Sequence, residues 1–232
     1  MKNKNKKPKK FNRFQALFDI KWWFYDFVKI TGFIPAILYY RPKYYYLNKA
    51  SKKEFKRNNF VIASNHNSLK DPLTMLVMFY FKRLGIVGTK ELFNTKFKNA
   101  LFTGFNCIKI DKENVSMSTF KQVNNTILRG HNVVIFPEGT IAHEKDYIAE
   151  FKSGVIFMAL MAKSAIYPVY IVKRHHWYER QRIVIGEKFD VLSMANNGKM
   201  NSSEMEQCAS KLRDKMIELE NYYLNNIKKN TI

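Results

Sequence analysis

The stretch that decides the fold is VIASNHNSLKDP, residues 61–72. It begins with β-branched and small apolar residues, which predict a short buried strand. Small polar residues around His66 follow, and Asp71 stands five positions after the histidine, directly before Pro72. Asp followed by Pro is a common helix start, because Asp caps the first turn and Pro fits the first helical position. The sequence therefore predicts a strand, a polar loop and a helix.

From about residue 58 onward, strand-like and helix-like runs alternate. The predicted strands are FVIAS, LGIVGT, NCIKI, NVVIF, IYPVYIV and QRIVIG, which begin at residues 60, 84, 106, 132, 166 and 181. This alternation is typical of an α/β domain, assigned here to residues 51–232, with helices on both faces of a central sheet. Because the last two strands are close in sequence, we expect the sheet to be mostly parallel or mixed.

The composition of the 232-residue chain indicates one sizeable domain with a strongly positive charge. Its 40 Lys and Arg against 19 Asp and Glu give a net charge of +21. Such a charge attracts nucleic acid or an anionic lipid surface, and a lysine-rich composition without a partner is the alternative. The two cysteines, Cys107 and Cys208, lack metal-ligand spacing. We therefore expect a reducing cytoplasm and neither a disulfide framework nor a zinc site.

The N-terminal part divides into a basic tail, residues 1–13, and an aromatic segment, residues 14–50. The tail holds seven Lys and Arg and no acid. Charges interrupt the aromatic segment too often for a bilayer-spanning helix. It is instead predicted to form two helical pieces, divided at Gly32, that lie on an anionic membrane surface, with packing against the protein's own core as the alternative. The expected location is the cytoplasmic face of the cell membrane, peripheral or monotopic. The apolar stripe runs through Ile20, Trp23, Phe24, Phe27 and Val28.

Two strand ends carry groups that could do chemistry, since reactive side chains in α/β folds follow the carboxyl ends of strands. One holds His66 and Asp71, and the other is FPEGT, residues 136–140. A neutral imidazole can remove a proton from a hydroxyl, and a carboxylate on its other nitrogen would fix its tautomer. The helix cap explains Asp71 without chemistry but leaves His66 unexplained. Because no G-x-S-x-G elbow and no P-loop occur, we expect the nucleophile to belong to the substrate, most simply an alcohol.

These stretches resemble the motifs of the glycerolipid acyltransferase family. NHNSLKD is similar to its N-H-x(4)-D motif, GFNCIKIDK to its second block, FPEGT to its third and YPVYIV to its fourth. TKELF and FKSG, which begin at residues 89 and 151, also match family text. Together these pieces cover roughly residues 60–172. The combination of H-x(4)-D with F-P-E-G-T about seventy residues later makes the match specific.

The resemblance implies an O-acyltransferase of phospholipid synthesis that acylates the free hydroxyl of 1-acylglycerol-3-phosphate and forms phosphatidic acid. His66 would be the base and Asp71 its orienting partner. Glu138 resembles the family residue that holds the acceptor. Backbone N–H groups near Gly139 and Thr140 would stabilise the oxyanion.

The resemblance also implies the partners of the reaction. Lys112 and Lys109 would meet the phosphate of the lysophospholipid acceptor. No metal and no cofactor are expected, and the donor would be acyl-CoA, an acyl-carrier protein or an acyl phosphate. The family's second and third blocks commonly end in Arg, where this chain has Lys112 and Ile141. A lysine supplies charge but no bidentate fork, so either His143, Lys145 or Lys152 compensates or the acceptor differs from lysophosphatidic acid.

Several alternatives stay open at this point. The acceptor could be glycerol-3-phosphate or another lysophospholipid. A basic nucleic-acid-binding protein and a lipid-binding relative without activity are alternatives from other classes. The pair His175–His176 beside Trp177 is interpreted as a loop or strand-end surface rather than a metal site. The run IFMALMA, residues 156–162, is interpreted as core, with an acyl-chain tunnel as the alternative.

Overall fold

The protein is built on a seven-stranded sheet in the computed structural model, which describes residues 15, 18–57, 59–111, 116–141 and 148–228. The strand order is β1-β7-β6-β2-β5-β3-β4, and only β6 and β7 are antiparallel neighbours. The mostly parallel α/β sheet that the sequence predicts is therefore confirmed. The strands are β1 Lys43–Tyr46, β2 Val61–Ser64, β3 Leu84–Thr89, β4 Ile108–Ile110, β5 Asn132–Ile135, β6 Ile166–Ile171 and β7 Arg182–Ile185.

Helices cover both faces of the sheet. On one face Val61 and Ala63 belong to a core cluster with Leu212, and on the other Ile62 lies in a second cluster with Met75. All four residues of β2 are buried, as expected for a central parallel strand. The α-helices are α1 Trp23–Tyr40, α2 Lys49–Arg57, α3 Asp71–Met78, α4 Lys96–Gly104, α5 Met117–Leu128, α6 Gly154–Met161, α7 Val191–Met194 and α8 Ser202–Tyr222.

The carboxyl ends of β2, β5 and β6 lie at the same edge of the sheet. β2 lies between β5 and β6 and is parallel to both. The loops that follow these three strands therefore leave the same edge of the sheet. The stretches that begin at His66 and at Pro137 are two of these loops.

The N-terminal segment differs in two ways from its prediction. Lys43–Tyr46 forms β1 and pairs with β7 at one edge of the sheet, although the sequence placed it in the membrane-associating segment. A run of tyrosines suits a strand as well as a membrane interface, so composition could not separate the two. In addition, α1 runs unbroken through Gly32 and Pro35, where two helices were expected. A glycine inside a helix costs about 1 kcal/mol and a proline about 3 kcal/mol, so neither residue excludes a continuous helix that the domain holds elsewhere along its length.

The charged side of α1 faces the domain. The carboxylate of Asp26 accepts bonds from Arg83 Nε at 3.1 Å and Nη2 at 2.5 Å. The ammonium of Lys29 donates to the carbonyl oxygens of Phe79 at 3.3 Å and Lys82 at 2.9 Å. Burial lowers the pKa of Lys29 to about 7, and Asp26 opposes that shift. These contacts hold α1 against the chain around the end of α3.

A buried ion cluster anchors the start of the same segment. Asp19, just before α1, is 4% exposed and accepts bonds from Arg129 and from Nε2 of His131 at 3.1 Å. Trp22 packs against the His131 ring with 4.6 Å between ring centroids and is itself buried. One of the two adjacent tryptophans therefore belongs to the core, whereas Trp23 is exposed.

The opposite side of α1 is apolar and exposed. Its side chains recur every three or four residues, so they form one stripe along the helix. None of the helices in the described part of the chain is both long and apolar enough to cross a bilayer. The exposed side chains are Trp23, Phe27, Ile30, Ile34 and Leu38, and Ile20, just before the helix, is exposed as well.

Candidate active site

The loop after β2 is fixed to β6 by one asparagine. The side chain of Asn65 accepts a bond from the Ile171 N–H at 2.7 Å and donates to the Ile171 carbonyl at 3.1 Å. Asn65 thus continues the pairing of the two strands by one step after β2 has ended. Sequence reasoning assigned no role to Asn65, although it lies in the motif beside His66. Its effect is to set the point at which His66 leaves the sheet.

Asp71 holds the loop and the histidine together. It is the first residue of α3 and is 4% exposed. Its Oδ2 accepts bonds from the N–H groups of Asn67 at 2.6 Å and Ser68 at 2.7 Å, and lies 3.1 Å from Nδ1 of His66. The predicted helix cap at Asp71 is wrong, because Lys70 is the residue that precedes α3 and no side chain caps the helix. The Asp71 carboxylate instead closes the turn before the helix and contacts the imidazole.

The imidazole of His66 is oriented by two neighbours. The Asp71 carboxylate is an acceptor, so Nδ1 carries the hydrogen and Nε2 keeps a lone pair. The ring stacks on Phe136 with 4.3 Å between centroids and 25° between planes. The side chain is 16% exposed, so the ring is largely buried without being sealed off. Such an imidazole can accept a proton at Nε2 while the carboxylate stabilises the resulting cation.

Glu138, in the loop after β5, bonds the backbone of the loop after β2. Its Oε1 accepts the His66 N–H at 2.9 Å, and its Oε2 accepts the Ala149 N–H at 3.2 Å. Burial raises the pKa of Glu138, and the two backbone hydrogen bonds oppose that shift. Glu138 is only 3% exposed, and each of its oxygens already accepts a backbone hydrogen. Glu138 thus holds the backbone of His66, and its predicted contact with the acceptor stays a prediction.

The turn after Glu138 uses one of its backbone donors internally. Gly139 has φ +70° and donates its N–H to the Phe136 carbonyl at 3.1 Å. Its positive φ favours glycine, and a Cβ there would also lie 3.1 Å from Cε of Lys152. Thr140 is exposed beside it. Of the two predicted oxyanion donors, Gly139 is thus engaged within the turn, which leaves Thr140 as the candidate.

The predicted phosphate-binding lysines do not lie together at the pair of His66 and Asp71, called the dyad below. Lys109 is exposed on β4, three strands from β2, or roughly 14 Å at about 4.8 Å per strand. Lys112, His143 and Lys145 lie outside the described residues. Lys152 lies closer, with its side chain against the Gly139 turn.

Sequence reasoning missed one lysine at this edge. Lys90 directly follows β3, which adjoins β5, and its ammonium lies 2.9 Å from Asp111 Oδ2. The signal was present in TKELF, a stretch that resembles family text at a strand end. Among the described residues, Lys90 and Lys152 are therefore two cations on the β5 side of His66.

Known proteins resemble this chain over its central region. The family described as Acyltransferase matches residues 46–172, just over half of the chain. The "1-acyl-sn-glycerol-3-phosphate acyltransferase" of Bacillus subtilis (strain 168) is 29% identical over 111 residues, which cover 48% of this chain and 54% of that protein. The protein of the same name from Borreliella burgdorferi is 24% identical over 168 residues, 70% of this chain and 66% of its own length. The chain thus spans between about half and two thirds of these relatives.

A solved structure has the same fold. It is the "1-acyl-sn-glycerophosphate (LPA) acyltransferase, PlsC, from Thermotoga maritima", with a TM-score of 0.58. The match covers 88% of this chain and 80% of that one at 17% identity. At this level of identity the likeness concerns the fold.

Proposed function

The chain belongs to the acyltransferase family, and on that premise we propose that it transfers a fatty-acyl group from an activated donor to the free hydroxyl of 1-acylglycerol-3-phosphate. The product would be phosphatidic acid. The observation that carries the proposal is the 3.1 Å contact between His66 Nδ1 and Asp71 Oδ2, which leaves Nε2 of a held imidazole as a base. The names of the two bacterial relatives support this acceptor.

The chemistry follows from the dyad. Nε2 of His66 accepts the proton of the acceptor's hydroxyl while that oxygen forms a bond to the carbonyl carbon of the donor. Asp71 stabilises the imidazolium through Nδ1. When the tetrahedral intermediate collapses, the bond to the leaving group breaks, and the imidazolium returns the proton to that group. The substrate supplies the nucleophile, so this route needs no covalent acyl-enzyme.

The phosphate of the acceptor has candidate partners on the β5 side of His66. Lys90 and Lys152 are described there, and Lys109 and Lys112 stay predictions from the resemblance. Lysine is a point charge without a bidentate fork, so several lysines together suit a phosphate monoester that carries up to two negative charges. This arrangement compensates for Ile141 at the position where the family commonly has Arg.

The reaction would take place at a membrane surface. The apolar stripe of α1 faces away from the domain, whereas its charged residues bind the domain, which is the reverse of a helix on a water-soluble surface. A net charge of +21 adds attraction to anionic lipids. We infer peripheral attachment to the cytoplasmic face through this stripe and the basic tail, which lies outside the described residues.

An acyl-transfer assay with a panel of substrates tests the proposal. Purified protein on vesicles receives lysophosphatidic acid, glycerol-3-phosphate or lysophosphatidylcholine, each with acyl-CoA, acyl-carrier protein or acyl phosphate. Lipid mass spectrometry identifies the product. We expect phosphatidic acid from lysophosphatidic acid with at least one donor. A product only from another acceptor would contradict the proposed substrate, and no acyl transfer with any pair would contradict the proposed reaction.

A further inference from the structure

A cavity lies beside the loop that carries His66, on the side away from Glu138. It has a volume of about 310 Å³ and is lined by the loop residues Asn67, Ser68 and Asp71 and by the chain after β6. Because β6 and β5 flank β2 on opposite sides, the cavity and the Glu138 turn lie to either side of the His66 loop. Ligand sites in proteins have volumes of about 300–1,000 Å³, so the cavity is large enough for a small polar group.

The walls of this cavity are cationic. Its permanently charged cations are Lys70, Lys173 and Arg174, and its acid is Asp71, which leaves a net charge of +2 with the histidines neutral. The Asp71 carboxylate is buried and already accepts two backbone hydrogens and the His66 hydrogen through Oδ2. The three cations thus outnumber the one acid in the lining, which also includes His175 and His176, and the Glu179 carboxylate accepts the His175 N–H at 2.9 Å beside it.

Arg174 is held in place. Its Nη1 donates to the carbonyls of Tyr39 at 3.1 Å and Glu179 at 3.2 Å. Its guanidinium lies over the rings of Tyr39, at 4.7 Å, and Tyr40, at 5.1 Å. A guanidinium has five N–H donors, and these two bonds come from only one of its nitrogens. A positioned arginine of this kind suits a phosphate group.

The residues at the rim of the cavity indicate a lipid as its ligand. Tyr39 and Tyr40 end α1, whose exposed apolar stripe reaches Leu38. Trp177 lines the cavity and is 74% exposed, and Tyr178 beside it is tied to α1 through its carbonyl, which accepts a bond from Arg41. Exposed Trp and Tyr next to cations are typical of the headgroup level of a bilayer. A cavity at this level would meet lipid phosphates.

We propose that this cavity binds the phosphate headgroup of an anionic phospholipid of the bilayer, separately from the acceptor. The proposal deepens the proposed function, because it needs the membrane attachment inferred above. Since Asn67, Ser68 and Asp71 form one wall, the bound headgroup would lie against the loop that carries His66. The bilayer surface would thereby be set beside the dyad.

Vesicle binding by charge-matched variants tests the proposal. The pocket variant Lys173→Gln/Arg174→Gln is compared with Lys199→Gln/Lys211→Gln, which removes two exposed lysines elsewhere. Vesicles of phosphatidylcholine carry either phosphatidylglycerol, which is neither the proposed acceptor nor the proposed product, or, at equal surface charge, oleate. We expect the pocket variant to lose at least tenfold in affinity for phosphatidylglycerol vesicles and the control less than twofold. On oleate vesicles the two variants should bind alike.

Three further measurements separate this proposal from its competitors. Lys70→Gln/Lys173→Gln changes only exposed side chains and should show the same loss even if Arg174→Gln disturbs folding, which thermal melts report. Equal losses in pocket and control variants would mean diffuse charge and overturn the proposal. Displacement from the vesicles by coenzyme A or acetyl phosphate would assign the cavity to the acyl donor and also overturn it. His66→Ala should bind vesicles like the wild type, so a failure of the proposed reaction would leave this test intact.

Discussion

At the scale of single residues, the Asp71 carboxylate both closes the loop and contacts the imidazole of His66. The substitution Asp71→Asn separates these two roles. In Asp71→Asn the side-chain oxygen can still accept the Asn67 and Ser68 hydrogens, so the turn is expected to persist. The negative charge beside His66 is lost, and with it the stabilisation of the imidazolium. We expect kcat to fall by about 10²- to 10⁴-fold, in the range seen when a catalytic histidine loses its carboxylate. Steady-state kinetics measure this, and a change below threefold would remove Asp71 from the mechanism.

The matched control is Asp190→Asn. Asp190 caps a short helix far along the chain and accepts the Ser193 N–H at 3.4 Å. Asn is as good a cap as Asp, so this variant should keep wild-type activity and stability.

The substitution Glu138→Gln distinguishes two possible roles of Glu138, positioning His66 and binding the acceptor. Glu138→Gln places an amide NH₂ against one of two backbone N–H groups, those of His66 and Ala149. Leaving a buried backbone donor without an acceptor costs about 1–3 kcal/mol. We expect a lower melting temperature and a lower kcat, with little change in KM for the acceptor. A raised KM at unchanged melting temperature would instead show that Glu138 binds the acceptor.

Residue chemistry also marks the limit of what the sequence could predict. The adjacency of His66 and Asp71 was predictable, because only four residues of loop separate them. The clamp by Glu138 was not, because its partner is a backbone N–H 72 positions earlier, which no side-chain pattern reveals. The engagement of the Gly139 N–H within its own turn was hidden for the same reason. Side-chain identities predicted the reactive groups, and backbone partners had to come from coordinates.

At the scale of secondary-structure elements, the charged residues Asp26 and Lys29 of α1 face the domain. A helix on the surface of a soluble protein faces its charged residues toward water instead. The helical period of the apolar stripe of α1 was predictable. That Asp26 and Lys29 would face the domain was not, since their partners are an arginine and two carbonyls at least 50 residues away. Strand β1 was missed because its tyrosines also suit an interface. In contrast, β2 and β6 are buried along their whole length and were predicted by their apolar runs.

The exposed stripe of α1 gives a membrane-binding prediction. Ile30 and Ile34 are 71% and 69% exposed, so Ile30→Lys/Ile34→Lys should leave the fold intact. Burying such a side chain is worth about 1.5–3 kcal/mol, so we expect at least a tenfold loss of binding to neutral phosphatidylcholine vesicles in a flotation assay. Ser203→Lys/Asn225→Lys adds the same two charges at one exposed position in α8 and one shortly after it, and should bind like the wild type. Equal binding by both variants would contradict the role of α1.

The Asp19 cluster makes the attachment of the N-terminal segment sensitive to acid. Burial lowers the pKa of His131 from 6.5 to about 4, and the hydrogen bond to Asp19 opposes that shift. The unfolded chain therefore binds a proton between pH 6.5 and 4 that the folded chain does not, so stability falls as the pH falls through this window. Between pH 7 and pH 5 we expect a loss of about 2 kcal/mol, measured by urea unfolding.

His131→Gln is the control for this prediction. Glutamine cannot take up the proton, so the variant should lose less stability between the same two pH values than the wild type. An identical pH dependence in both proteins would show that the effect arises elsewhere.

At the scale of the whole molecule, different side chains lie on the two sides of His66 at the edge of the sheet where β2, β5 and β6 end. Lys90, Lys152 and the Glu138 turn lie on the β5 side of His66, and the cationic cavity lies on the β6 side. The net charge of +21 alone allowed either nucleic acid or lipid as the partner. The exposed apolar stripe of α1 favours lipid, because a nucleic-acid surface gains nothing from aliphatic side chains facing solvent.

The most direct test is the rate of phosphatidic acid formation from lysophosphatidic acid on vesicles, by wild type and His66→Ala. Mass spectrometry gives the product, and thermal melts and vesicle flotation confirm that the variant folds and binds. We expect phosphatidic acid from the wild type and a rate at least 10³-fold lower from the variant, since His66 is the base in the proposed reaction. A folded, vesicle-bound His66→Ala protein with a rate close to that of the wild type would contradict the central claim.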